Sequence, residues 1–596
     1  MARSMKFSLN KYFIHFLGAL IFYVLFALLC RTLSTEHLTL REDWGYTATF
    51  GALFAGVIGL FYHKRRPFVF FLGFIFLYVL AALIKRFGGM ILSEREIVHT
   101  LCLATFLGGL VLTFYEIEAL QHLKILKFAA CFLLVLFLLP ALVMVSYFGL
   151  NHAVFSSDIM LTLFQTNFNE TLSYLKDQNL GLWGLALLSI IAICAGFVLL
   201  LLKSKQEIKS SFARIMIVLV LLVFISLNTL SKINVNFVSN IYSNTRDTLK
   251  TFVLYEQNKE ARQKMLQSIK NDVYSNLDKG LFVLVIGESS TRDHMGAYGY
   301  YRDTTPFMQK EAKENNAVLF ENAYANHTHT VPTLSFALSE ANQYNNKSVE
   351  KAYTLFDMAS LGGFETVFIS NQPKDSVFIT PLAVMASTAG TQIWLNSSIG
   401  DKLSTEYYDE KTAEVLSSLK TADKSLVIIH LMGSHGAYRD RYPAEFEKFK
   451  DGPSKLVDAY DNSILYTDFV LSKICEAAQH NKNFQALVYL SDHGDDADNR
   501  LGHESSRFTY QMSRIPFFLL ASSNFANGET FKALKENKDR LFTNDLLFDF
   551  MLGLMQINRA EKEDDVYALQ SENYPISRQN ALTLHGQKKL SDEPSY

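Results

Sequence analysis

The 596-residue chain is short of cysteine where cysteine would matter most. Of its five cysteines, Cys30, Cys102, Cys131 and Cys194 fall in apolar stretches, and only Cys475 lies in the more polar second half. That excludes an intramolecular disulfide and a cysteine-based metal site there, so the second half must rely on its own buried core. An excess of one charge is missing too. Lys and Arg number 56 against 58 Asp and Glu, a net charge of −2, which gives no case for nucleic acid as a partner. Proline and histidine are sparse early on: nine of 11 prolines and nine of 15 histidines lie beyond residue 281, so the first half lacks turns and potential ligands. No internal repeat or low-complexity segment stands out.

What the first half has is hydrophobic length. Nearly uncharged stretches fall at 12–30, 46–62, 67–84, 98–115, 125–148, 182–202 and 213–231, each near the ~20 residues that cross a bilayer as helix. The first is too long for a cleavable signal, no small-residue cleavage site follows it, and further spans come after, so it should stay as an anchor. Arg3, Lys6 and Lys11, then Lys64, Arg65 and Arg66, then Lys124 and Lys127, then Lys203, Lys205 and Lys209 fall at the amino end and after every second span. This assigns those loops to the cytoplasm, although Lys85, Arg86 and Arg95 stand on the other side. An odd number of spans then puts the chain from residue 232 onward outside, with the protein held as a multi-pass inner-membrane protein. Residues 232–280 are polar, with helical spacing in Phe252, Leu254, Tyr255, Met265, Leu266 and Ile269, and read as an amphipathic linker.

From 281 the composition turns globular. Five apolar runs, 281–287, 365–369, 425–431, 485–490 and 515–521, end in polar or glycine-containing turns, and helical stretches at 306–314, 409–420 and 456–478 lie between them. The alternation predicts an α/β/α domain over 281–596 with a mainly parallel sheet, whose ligands gather at the strands' carboxyl ends. Glu288 ends one run, and Asp492-His493, followed by Gly494 and two more acids, ends another. Carboxylate, carboxylate and imidazole can therefore converge on a divalent metal, zinc for preference. A nucleophile is available between Ala323 and Ser335, where Thr328 and Thr330 stand among His327 and His329 just ahead of a predicted helix. A hydroxyl at a helix amino end sees N–H donors and positive dipole, which suits phosphate, and a bound cation would lower its pKa.

Five ordered motifs, Val283–Arg292, Tyr298–Pro306, Asn326–Pro332, Gly433–His435–Gly436 and Ser491–Gly494, resemble the alkaline-phosphatase-like catalytic domain of the membrane phosphoethanolamine transferases. That family modifies lipopolysaccharide lipid A or core sugars and includes the polymyxin-resistance enzymes. The resemblance implies that Glu288, Thr328, Asp492 and His493 ligate zinc and that Thr328 becomes phosphoethanolaminated. Its distance from Glu288, 328 − 288 = 40 residues, favours it over Thr330. His435 and His503 map onto histidines that bind a second zinc or the substrate phosphate, and Lys374 onto a substrate-phosphate lysine. His430 reads instead as a strand-end or core histidine, and Arg302 with Thr304 and Thr305 as support for the loop behind Glu288.

In the membrane half, Thr162, Thr166 and Glu170 stand at i, i+4 and i+8, so a helix would align them on one face at the outer surface. The carboxylate could meet an ethanolamine ammonium. The family carries a similar stripe, with Asn where this chain has Thr162. The absence of disulfides in the soluble half suits the branches that use core heptose or other acceptors. The implied reaction takes phosphatidylethanolamine as donor and an envelope glycolipid as acceptor, in a monomer embedded among membrane lipids. Phosphoglycerol transfer from phosphatidylglycerol uses the same core, and an inactive membrane scaffold is the reading from a different class.

Overall fold

The structure is a computed structural model of the chain. It describes residues 65–88, 94–121, 124–157, 179–203, 259–372, 385–396, 407–559 and 565–594, with isolated positions between them. Two compact units result, one carrying the early helices and the other the residues described from 259 onward.

In the first unit, three helices among the described residues are long and apolar enough to cross a membrane: Val69–Phe87, Lys124–Asn151 and Leu180–Leu202. They correspond to the stretches at 67–84, 125–148 and 182–202. The stretch at 98–115 lies in the helix Glu94–Gln121, whose apolar part is shorter. The stretches at 12–30, 46–62 and 213–231 lie outside the described residues. Arg66 Nη1 donates to the Lys203 carbonyl at 2.6 Å, which ties the start of one of these helices to the end of another. Lys85, which stood against the lysine and arginine count, is paired with Glu96 at 2.8 Å.

The second unit has thirteen strands among its described residues: β1 Tyr274–Ser275, β2 Gly280–Gly287, β3 Ala317–Leu319, β4 Ala323–Tyr324, β5 Glu365–Ser370, β6 Thr391–Trp394, β7 Lys424–His430, β8 Phe484–Ser491, β9 Phe517–Ala521, β10 Phe542–Thr543, β11 Ile557–Asn558, β12 Leu582–Thr583 and β13 Lys588–Lys589. Seven of them form one sheet in the order β3-β9-β8-β2-β7-β5-β6. Alternate residues of β2 enter two cores: Phe282, Leu284 and Ile286 on one face, Leu281, Val283 and Val285 on the other. A strand covered on both sides must be apolar throughout, which is why these runs show no alternation. The long helix Lys455–Gln479 contributes Tyr460, Ile464 and Leu471 to the second of these cores.

The sheet is mixed and mostly parallel. β9 runs antiparallel to β8, so the polar turn after 515–521 does not join the turns after β2, β5, β7 and β8. The globular unit also starts earlier than residue 281. β1 pairs antiparallel with β11, Val273 is in the core, and Ile269 of the helix Lys259–Ile269 packs against it. The carboxyl half of the supposed linker is thus part of the domain, tied in by a strand too short to show a period.

Candidate active site

Register decides which side chains meet. Ile286 of β2 pairs with His430 of β7, Gly287 with Ser491 of β8, and His430 with Ser370 of β5. Four neighbouring parallel strands therefore end together. Their next residues, Glu288, Leu431, Asp492 and Asn371, emerge at one edge, the place where such sheets put their chemistry.

Glu288, Asp492 and His493 are fully buried there, with one ligand atom from each within 4.8 Å of the others. His493 Nε2 is 3.4 Å from Glu288 Oε1 and 3.4 Å from Asp492 Oδ2. Asp492 Oδ1 accepts from the backbone N–H of Ser289 and His493, which orients the carboxylate, while its Oδ2 is buried without a hydrogen-bond partner. Two carboxylates and an imidazole around an orphaned oxygen fit a zinc ion. Burial penalises the charged His493, yet Asp492 and Glu288 override it and lift its pKa to about 10. Burial would raise Glu288, but His493 against it holds its carboxyl well below the usual range. Burial and the Glu288 charge push Asp492 up to about 7. A cation bound among these groups would displace protons.

The loop holding Glu288 is strained and pinned. Ser289 has φ +57°, the left-handed region that side chains avoid. Its N–H binds Asp492, its hydroxyl donates to Glu288 Oε1 at 2.9 Å, and its carbonyl accepts from Tyr460 at 2.6 Å. Opposite it, Gly433 has φ +50°, and an added Cβ would stand 2.8 Å from the Glu288 nitrogen. Only glycine allows so close an approach.

The hydroxyl brought to this cluster is that of Thr330, not Thr328. Thr330 Oγ1 lies 3.3 and 3.2 Å from the two Glu288 oxygens and 3.5 Å from His493 Nε2. Thr328 is fully buried, and its hydroxyl has no hydrogen-bond partner. The reason is local. His329 occupies the N-cap and Thr330 is the first residue of the helix Thr330–Ala337, so the first turn aims Thr330 at the sheet edge. A count of 40 residues does not sense where a helix begins.

His503 lies beside the cluster. Its ring is 4.6 Å from that of His493, and its Nδ1 is 2.8 Å from Asp495 Oδ1, making a second group, His493, Asp495 and His503, able to hold a metal. His435 follows β7 in the turn Gly433–Gly436. His430 is fully buried against Phe368, its pKa lowered to about 4 by burial, as a core histidine should be. Arg302 does support the loop behind Glu288: it reaches Asp461 at 2.7 Å and Asp458 at 2.8 Å, and Asp461 holds His294. Thr304 and Thr305 accept the backbone N–H groups of Gly296 and Ala297. Lys374, Thr162, Thr166 and Glu170 lie outside the described residues.

Other contacts carried no sequence signal. Gln372 Nε2 donates to Glu288 Oε2 at 2.9 Å. Asn544 donates to the Asp492 carbonyl at 2.7 Å and accepts from the Asn326 N–H at 2.8 Å, bracing the metal turn against the threonine segment. His585, in the turn between β12 and β13, lies tilted against His327 with centroids 4.9 Å apart. Amides and a C-terminal histidine have no spacing that would announce them.

The Sulfatase family model matches residues 281–557. Phosphoethanolamine transferase EptC from Escherichia coli O18:K1:H7 is 26% identical over 445 residues, 67% of this chain and 75% of that protein. The structure of the integral membrane protein lipooligosaccharide phosphoethanolamine transferase A from Neisseria meningitidis superposes with a TM-score of 0.54 at 19% identity, over 79% of this chain and 91% of that one. At that identity the likeness concerns the fold, and it extends over helices and sheet alike. The crystal structure of the C-terminal periplasmic domain of EcEptC from Escherichia coli in complex with Zn gives 25% identity and a TM-score of 0.49, over 54% of this chain and 96% of that one.

Proposed function

From the premise that residues 281–557 are a sulfatase-family domain, we propose that the protein transfers phosphoethanolamine from phosphatidylethanolamine to an envelope glycolipid, lipid A or lipopolysaccharide core, by way of Thr330. The observation that carries this reading is the Thr330 hydroxyl within 3.2–3.5 Å of a buried Glu288–Asp492–His493 cluster at a helix amino end. A phosphoethanolamine transferase that aligns with this chain over 75% of its own length supports the choice of headgroup.

Glu288, Asp492 and His493 would hold zinc, which supplies positive charge for the developing phosphoryl charge and lowers the pKa of a nearby hydroxyl. Thr330 Oγ attacks phosphorus, the bond from phosphorus to the glyceride oxygen breaks, and diacylglycerol leaves with a proton. The acceptor's oxygen then attacks the phosphothreonine, the Thr330 O–P bond breaks, and the acceptor's proton is passed to Thr330 Oγ, which restores the hydroxyl. His435 or His503 would give or take those protons. N–H groups at the start of the helix Thr330–Ala337 face the phosphoryl oxygens. The group His493, Asp495 and His503 is the place for a second zinc or for substrate phosphate. Lys374 is assigned to substrate phosphate, and Thr162, Thr166 and Glu170 to the headgroup.

The protein would act as a monomer in the bacterial inner membrane with its globular unit in the periplasm, because donor and acceptor both reside in lipid there. The test uses purified full-length protein in micelles containing phosphatidylethanolamine labelled in the ethanolamine, with lipopolysaccharide as acceptor. Label should appear in the glycolipid. Transfer of glycerol phosphate from phosphatidylglycerol in its place would overturn the donor, and no transfer from either would favour the scaffold.

A further inference from the structure

Gln372 stands at the turn after β5, two strands away from β2, yet its side chain meets Glu288. One amide nitrogen donates twice, to Glu288 Oε2 at 2.9 Å and to the Leu431 carbonyl at 3.1 Å, so both of its hydrogens are committed. The turn itself is fixed. The Gln372 N–H binds Ser370 Oγ at 3.1 Å, the Asn371 N–H binds the His430 carbonyl at 2.9 Å, and Asn371 Nδ2 reaches buried Asp409 at 2.8 Å. Asp409 in turn accepts the N–H groups of Met432 and Gly433. The donor is thereby placed before anything binds.

The other oxygen of Glu288, Oε1, accepts from Ser289 Oγ at 2.9 Å. Each carboxylate oxygen has one outer donor, and the face toward Asp492, His493 and Thr330 is left to accept. A neutral amide is suited to this task. It fixes the plane of the carboxylate without cancelling the charge a cation needs, as a lysine would. We propose that Gln372 is a positioning residue that holds Glu288 in its metal-ligating orientation and thereby sets the zinc affinity of the site. The inference rests on the zinc reading above and goes beyond it, since Gln372 reaches the metal only through Glu288.

The test measures zinc binding by full-length protein in micelles, by competition with a fluorescent chelator, for wild type, Gln372→Leu and Gln372→Asn. Leucine keeps the bulk and removes the donor, and asparagine keeps the amide but withdraws it by one methylene. Zinc dissociation constants should rise by about tenfold or more for leucine and by less for asparagine, the usual scale for a lost partner of a ligand. Melting temperatures in excess EDTA should match wild type for any variant used, and asparagine carries the comparison if leucine does not fold. Wild-type affinity in the variants would overturn the inference, also where KM rises, because Gln372 would then be a substrate contact. A wild-type protein that binds no zinc would sink the zinc reading itself, a separate and recognisable result.

Discussion

His294 makes the domain's stability depend on pH in a calculable way. Its ring is 1% exposed, with Nδ1 2.7 Å from Asp461 and Nε2 3.1 Å from Asp498. Burial opposes its charge, but the two carboxylates override that and lift its pKa from 6.5 to about 9. At about 1.4 kcal/mol per tenfold change in proton affinity, the lift is worth about 3 kcal/mol. Asp498 is half exposed, and solvent screening there reduces the figure to about 2 kcal/mol. The folded value lies above the unfolded one, so this stabilisation is complete below about pH 6.5 and is lost as pH rises through about 9. In His294→Gln, Asp461 keeps Arg302 at 2.7 Å and Tyr300 at 3.0 Å, so the fold should survive. Calorimetry in EDTA should find wild type melting roughly 4 °C above the variant at pH 6. That gap should close by pH 9.5. A gap that stays constant with pH would refute the reasoning.

Other consequences are as direct. Glu593 accepts from Arg514 Nε at 2.7 Å and from Tyr324 at 2.9 Å and also pairs with Arg578, so Glu593→Ala removes one of two carboxylates on Arg514 and leaves Asp293 at 2.6 Å. Urea unfolding should show a loss of about 2 kcal/mol for the charged hydrogen bonds removed, and a loss under 0.5 kcal/mol would contradict it. Zinc held by this cluster would displace protons from Asp492, raised to about 7, and from His493, raised to about 10. Zinc affinity should therefore climb between pH 6 and 8 by about tenfold per unit for each proton released, and a flat titration would contradict that protonation state.

Much of this architecture was legible before any coordinates. β2 and β8 are apolar without alternation because both faces are covered, and the polar turns that follow them had to lie at one sheet edge. The direction of β9 was not legible, since an apolar run reads the same whether its strand is parallel or antiparallel. Thr328 and Thr330 are two residues apart in one motif, and what separates them is a helix boundary, set by His329 as N-cap. Boundaries are the weakest part of any sequence pattern. Gln372 carries no signal in the sequence because its role depends on β5 and β2 being held together by β7, a relation that exists only in the sheet.

The central claim is that Thr330 carries the phosphoethanolamine. Full-length protein should be incubated with phosphatidylethanolamine, without acceptor, as wild type, Thr328→Ala and Thr330→Ala, and the peptide spanning both threonines weighed and fragmented. One phosphoethanolamine on Thr330 is expected in wild type and in Thr328→Ala, and none in Thr330→Ala. An adduct on Thr328, retained in Thr330→Ala and absent from Thr328→Ala, would contradict the account.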